Sequence, residues 1–226
     1  MVAAVLAGVL IVAFVATQQL GGRADADTFG DPGLPYPAQL MDGSAIGRAD
    51  APVTLEVWED FQCPVCARHS LEVEPVLVGT YVRDGLLRIV HRDLAFLGSG
   101  GADDESVLAA SGAVCANRQG AYWAYSHRVY ANQDGENAGG FRPERLRSIA
   151  EAAGVDVTDW DSCVSDAAVR QEVADSTARG LGQGVNSTPT MYLNGRRVDP
   201  PGLKSAQELG TLIEAAATAA GSTVAP

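Results

Sequence analysis

Basic residues are scarce in this sequence: 16 Lys+Arg stand against 28 Asp+Glu, for a formal charge of −12 and a pI near 4.5. Nor are they gathered into a run. A phosphate backbone or an anionic lipid surface needs a concentrated positive face, so nucleic acid and acidic membrane are excluded as natural partners. The acidity reads more simply as a solvated, exported surface. Low-complexity tracts and internal repeats are also missing, which removes repeat arrays. Cysteine is limited to four residues in 226, and a chain of 46% hydrophobic content does not need them to build a core.

A basic flank is missing as well. Residues 2–16 are an unbroken apolar run that trails off at Leu20, and no Lys or Arg precedes it to orient it. The run is longer than a signal-peptide core and just short of the ~20 residues of a comfortable span. Residues 1–20 are expected to be an uncleaved single-pass anchor that leaves the rest of the chain outside the cytoplasm. The alternative is a removed signal, with Ala24-Asp25-Ala26 as a cleavage-like site and a secreted or periplasmic product. Residues 21–50, with Gly21, Gly22, Pro32, Gly33, Pro35 and Pro37, read as a linker.

What is present is Cys63-Pro64-Val65-Cys66, placed where the apolar, β-branched run 53–58 gives way to a helical pattern. There the first thiol sits at a helix N-terminus, whose unpaired N–H groups and positive dipole end favour a thiolate. The second sulfur lies one turn on, within reach of a reversible disulfide. Pro64 suits the first helical turn, where its missing N–H costs nothing. A zinc site uses the same spacing but needs two more ligands. Cys115 and Cys163 lie far off in the predicted order, so no metal is expected. Two cysteines close together and two far apart suggest one working pair and one structural pair, and the latter requires an oxidising compartment.

Strand 53–58, a helix over 64–83 with Val65, Leu71, Val76, Leu77 and Tyr81 as its buried face, and strand 87–91 predict a right-handed parallel βαβ unit. Pro75 predicts a kink. Helical patterns follow over 103–117, 122–131, 143–153 and 167–181. Then Met191-Tyr192-Leu193-Asn194-Gly195-Arg196 predicts a hairpin with a type I′ turn, and 205–217 a last helix. The order is βαβ, helical insert, ββα.

Phe61-Gln62-Cys63-Pro64-Val65-Cys66 after a strand, together with Thr188-Pro189 before the hairpin, resembles the DsbA-like thiol–disulfide oxidoreductases, over about residues 47–217. The resemblance implies an α/β thioredoxin fold divided as 51–100 and 185–226, with a helical insertion over 101–184. It implies that Cys63 and Cys66 are the redox-active catalytic pair, with Pro64 and Val65 as the active-site dipeptide. It also implies that Pro189 is cis against them, with the backbone of Thr188 receiving the substrate chain. Cys115 and Cys163 match a second, structural disulfide of some members. The implied activity introduces disulfides into reduced or unfolded exported proteins without a bound cofactor. The pair is then reoxidised by a quinone-linked membrane oxidase of the DsbB or VKOR type.

Two positions depart from the family pattern. The buried acid expected six residues before the first cysteine is Val57, which leaves Glu59 as the nearest candidate proton relay. The histidine usual before the second cysteine is Val65. The Cys63 pKa should therefore be lowered, though short of the value of about 3.5 reached in the strongest oxidants. Rival readings are a disulfide reductase or isomerase, and a copper metallochaperone using Cys63, Cys66 and His69. His69 is otherwise expected at a solvated helix position, and Asp60 is either a proton carrier or an exposed turn residue. Trp58 is placed to report on the redox state, Trp123 and Trp160 in the core, and His91 and His127 have no motif around them.

Overall fold

A computed structural model describes residues 29, 32–33 and 36–222. The segment 1–20 read as an anchor lies outside the described residues, and among those described no helix is long and apolar enough to cross a membrane.

Six strands form one mixed sheet in the order β1-β2-β4-β3-β5-β6. Its centre is β3 (Val53–Glu59), parallel to β4 (Leu87–Asp93) and antiparallel to β5 (Thr190–Leu193). Val53, Leu55 and Val57 are fully buried, as period-2 alternation in a central strand requires. At the edges lie β1 (Met41–Asp42) with β2 (Ala45–Ile46), and β6 (Arg196–Arg197). The β1–β2 hairpin falls inside the segment 21–50 read as a linker. It is two short strands around a turn, below the length at which alternation is legible, and Ile46 is fully buried against β4. Gly47 carries the chain away at φ +115°, and a Cβ there would stand 2.4 Å from the Leu87 carbonyl oxygen of β4. Only glycine meets both conditions.

Between β3 and β4, residues 64–82 form one helical run, α1. In it the α-helical segments Pro64–Arg68 and Glu74–Leu77 alternate with the π-helical turns His69–Val73 and Val78–Val82. Where a kink is expected, a π turn precedes Pro75 and accommodates its missing N–H. The π turns also rotate the buried face away from a 3.6 period. Val76 is 50% exposed, while His69, Ser70, Val73 and Glu74 face inward.

The insertion contains α2 (Glu105–Arg118), α3 (Tyr122–Ala131), α4 (Pro143–Ala152), α5 (Val157–Val164) and α6 (Ala167–Gly182). The sequence reading missed α5. It has one buried side chain, Trp160, so it carries no apolar stripe, although the Asp156 carboxylate caps it by accepting from Thr158 N at 2.9 Å. This helix brings Cys163 to Cys115 of α2, and the two are disulfide-bonded with Cα atoms 5.8 Å apart. Trp160 and Trp123 are both core residues. The last helix, α7 (Ala206–Ala219), is closed at its start by a Ser205–Glu208 capping box and packs on α1 and β3. Asn194 and Gly195, at φ 48° and 76°, make the turn between β5 and β6.

Candidate functional site

Strand β3 ends at Glu59, and the next four residues build the site. Asp60, read as a proton carrier or an exposed turn residue, is buried and works as a knot. One carboxylate oxygen accepts from the Gln62 N–H (2.9 Å) and the Ser106 hydroxyl (2.8 Å); the other accepts from the N–H groups of Phe96 and Leu97 (2.9 and 3.0 Å). Burial raises the Asp60 pKa against the pull of these donors. The insertion adds a second clamp, since the Gln133 amide donates to the carbonyls of Phe61 and Cys63, the latter at 3.1 Å. The loop is thus held from the segment after β4, from α2 and from the segment after α3 together. None of those residues is near it in sequence.

Cys63 is the N-cap of α1 (φ −73°, ψ 118°), and Pro64 occupies the first turn. Cys63 is 6% exposed, and its thiol donates to the Thr188 carbonyl at 3.5 Å. Hydrogen bonding from the Cys66 thiol draws the Cys63 pKa down to about 6. Burial opposes this, while the Thr188 side chain and the N–H groups of Cys66 and Val65 assist. Cys66 is fully buried, and burial, the bond to Cys63 and the Glu59 charge push its thiol well up. The two sulfurs therefore differ in character, the outer one ready to ionise and the inner one held protonated. Thr188–Pro189 is cis, and so is Asp199–Pro200, which nothing in the sequence singled out. The Gly202 N–H donates to the Pro189 carbonyl at 3.0 Å, fixing that loop from the other side.

Behind the cysteines lies a charged cluster that the sequence did not reveal. Glu59 is 3% exposed, and its Oε2 stands 3.0 Å from His91 Nδ1. This contact is an ion pair, without a directed hydrogen bond at Nδ1. The opposite nitrogen of His91 meets Glu74, which also accepts from the Tyr36 hydroxyl. Burial works against a charged His91, yet Glu74 and Glu59 overcome it and raise its pKa well above the ordinary value. Burial likewise opposes the Glu74 carboxylate, but His91 holds it down at about 2. His69, expected in solvent, is fully buried beside this cluster, and neither ring nitrogen has a hydrogen-bond partner. The π turn rotates it inward. Trp58 packs in a small separate cluster with Leu94 and Val185. The available signals were faint: His91 falls on an inward position of β4, opposite Val57, and Glu74 on an inward position of α1.

The cluster sets an acid limit on stability. Glu74 has a lower pKa folded (about 2) than its ordinary 4.5, so its stabilisation is complete above pH 4.5 and is lost as pH falls toward 2. His91 has the opposite sign; its share is complete below its ordinary 6.5 and is lost only as pH rises through the raised folded value. Thermal midpoints should therefore fall steeply below pH 4.5. Glu74→Gln should lower the midpoint at pH 6 and flatten that acid limb. An equally steep limb in the variant would mean that other groups set it.

A family model described as thioredoxin matches residues 40–215. A Bacillus cereus protein named probable disulfide bond formation protein D is 25% identical over 158 residues, which cover 69% of this chain and 72% of that protein. A Mycolicibacterium gilvum protein named Na(+)/H(+) antiporter NhaA 1 is 31% identical over 154 residues, or 67% of this chain but 23% of that protein. Among solved structures, oxidised BdbD from Bacillus subtilis superimposes with a TM-score of 0.69 at 19% identity, covering 84% of this chain and 97% of that chain.

Proposed function

Because the chain belongs to the thioredoxin family, matched over residues 40–215, we propose that its working centre is the Cys63–Cys66 pair, cycling between disulfide and dithiol outside the cytoplasm. The protein is a thiol–disulfide oxidoreductase that forms disulfides. One observation carries the assignment of the site: an acidified thiol at a helix N-terminus, backed by a buried thiol of raised pKa and facing the Thr188 carbonyl.

In the oxidised protein a substrate thiolate attacks Cys63 Sγ. The Cys63–Cys66 bond breaks and Cys66 leaves as a thiolate that takes up a proton. A second substrate thiolate then attacks the substrate sulfur of the mixed disulfide and releases the Cys63 thiolate. Two electrons pass from the substrate dithiol to the protein. The stability of the Cys63 thiolate drives this, each pKa unit being worth about 1.4 kcal/mol. The Thr188 backbone, beside Pro189, receives an extended substrate chain, with Pro64 and Val65 next to Cys63 on the more exposed side. The Glu59 charge acts on Cys66, and Glu59 is assigned as its proton carrier. Substrates are reduced exported proteins. A quinone-linked membrane oxidase of the DsbB or VKOR type returns the electrons to the membrane, where residues 1–20 anchor the chain. The Cys115–Cys163 bond supports an oxidising compartment.

The test is a Cys66→Ser variant recovered from cells under acid quench. It should carry exported proteins covalently on Cys63, released by reductant. Recovery of free variant alone would sink the mechanism. A reduction potential below about −250 mV would instead keep the chemistry and reverse the electron flow, whereas one near or above about −150 mV fits an oxidase.

A further inference from the structure

A thiolate responds to the carbonyl oxygens around it as well as to the N–H groups, since both are dipoles at short range. At Cys63 the N–H groups of Val65 and Cys66 favour the charged sulfur. The carbonyls of Phe61 and Cys63 bring the opposite sign into the same turn. One side chain answers both. The Gln133 amide nitrogen donates to the Phe61 carbonyl and, at 3.1 Å, to the Cys63 carbonyl. An amide NH2 has two donors, and here both are spent on oxygens beside the nucleophile. Gln133 lies outside the motif, half-buried in the segment between α3 and α4.

We infer that Gln133 is a positioning residue for the exchange reaction, holding the Phe61 and Cys63 carbonyls so that the thiolate form of Cys63 is favoured over the disulfide. This rests on the dithiol–disulfide reading above, and it gives the insertion a part in setting how strongly the pair oxidises.

Three observations carry it. First, the Phe61 carbonyl lies in the turn between β3 and α1 and takes its hydrogen bond from Gln133, not from a strand or helix. The Cys63 carbonyl already accepts the Ala67 N–H at 3.1 Å, within α1, and Gln133 adds a second donor.

Second, the segment that presents Gln133 is tied down at several points. Arg145 Nη2 donates to the Asn132 carbonyl at 3.0 Å. The Asn137 N–H donates to Gln62 Oε1 at 2.6 Å, and its side chain to the Leu97 carbonyl at 2.9 Å. The N–H groups of Gly139 and Phe141 both reach the Glu105 carboxylate, each at 2.7 Å. Residues 134–138 are exposed, so water could serve their backbone; the ties instead fix where Gln133 stands.

Third, the influences on the Cys63 thiol are neutral ones: the Cys66 thiol first, then burial, the Thr188 side chain and the N–H groups of Cys66 and Val65. The acids of the turn are committed elsewhere, Glu59 to His91 and Tyr130, and Asp60 to Gln62, Ser106, Phe96 and Leu97. Asp134, next to Gln133, is paired with Arg145. Pro64 has no N–H and Val65 has no polar side chain. Uncharged dipoles therefore decide the balance at this sulfur.

A disulfide sulfur is neutral and little affected by the two carbonyls, whereas a thiolate is repelled by them. The Gln133 N–H groups offset that repulsion, so their bonds are worth more in the reduced protein than in the oxidised one. Acidity of Cys63 and oxidising strength of the pair rise together. No covalent bond is made or broken by Gln133.

The test uses Gln133→Met and Gln133→Glu, which keep the length of the side chain and remove its N–H donors. Two readouts are taken on the full-length protein: the pH dependence of Cys63 alkylation in the reduced form, and the equilibrium of Cys63–Cys66 with glutathione. In Gln133→Met the alkylation half-point should rise by about half a unit to one unit. The glutathione equilibrium should move about three- to tenfold toward the disulfide, the scale of one net hydrogen bond. Gln133→Glu adds a charge that also disfavours the thiolate, so both shifts should be larger at pH 7. A lower thermal midpoint with both readouts at wild-type values would make Gln133 purely structural and overturn the inference. Shifts in Gln133→Glu no larger than those in Gln133→Met would overturn it too. Should either variant fail to fold, Gln133→Asn, one methylene shorter, takes its place with a shift in the same direction. A wild-type pair that does not exchange with glutathione at all would instead remove the oxidoreductase reading, and this inference with it.

Discussion

Cys63→Ser is expected to reduce thiol–disulfide exchange to background, while Cys66→Ser keeps a reactive thiol that captures substrates without releasing them. The asymmetry follows from the two environments. Cys63 ionises at about pH 6, so at neutrality it is mostly thiolate, whereas an ordinary cysteine is only a few per cent ionised. Alkylation of the reduced protein should be half-maximal near pH 6 and fall about tenfold per unit below that, as the thiolate fraction does. The Cys66 thiol is the largest influence holding Cys63 down, so Cys66→Ala should move this curve upward. Serine retains an O–H donor and should move it less. Curves for both variants coincident with that of wild type would show that Cys66 has no part in acidifying Cys63, and a half-point near 8.5 in wild type would remove the acidified nucleophile altogether.

The second large effect concerns stability. A Cys115→Ser/Cys163→Ser double variant should lose about 4 kcal/mol, the chain-entropy value for a closed loop whose ends are 48 residues apart. In a domain of this size that lowers the melting midpoint by about 10 °C. The bond joins α2 to α5, whose single buried side chain is Trp160 and whose other ties include the Trp160–Gly112 hydrogen bond and the exposed Arg147–Asp161 pair. Denaturant unfolding of the double variant and of wild type should show the difference. The reduction potential of Cys63–Cys66 should not change, because the loop around that pair is held through Asp60, Ser106 and Gln133. A shifted potential would instead mark Cys115 and Cys163 as a second exchanging pair.

The Mycolicibacterium gilvum protein named Na(+)/H(+) antiporter NhaA 1 aligns with this chain over less than a quarter of its own length. The thioredoxin-type unit therefore recurs within a much larger protein. The B. cereus relative matches along 72% of its own length.

The sequence by itself determined the order of strands and helices, the placement of Cys63 at a helix start and the hairpin at Asn194-Gly195. Each rests on local rules: a period of two, a proline in a first helical turn, and residues that accept positive φ. The match of two distant motifs to one family then implied the thioredoxin fold with its insertion. Tertiary structure alone decided what stands behind Cys66. Val57 occupies the family's usual acid position, and the carboxylate reaches the cluster two residues later, from Glu59, at the end of the same strand. Its charge partners come from β4 and from α1 through His91 and Glu74. The π turn at His69–Val73, invisible to a 3.6-residue count, turns His69 and Glu74 inward. Desolvation and mutual charge act through space, so the roles of His91 and Glu74 exist only once the sheet and helix have met.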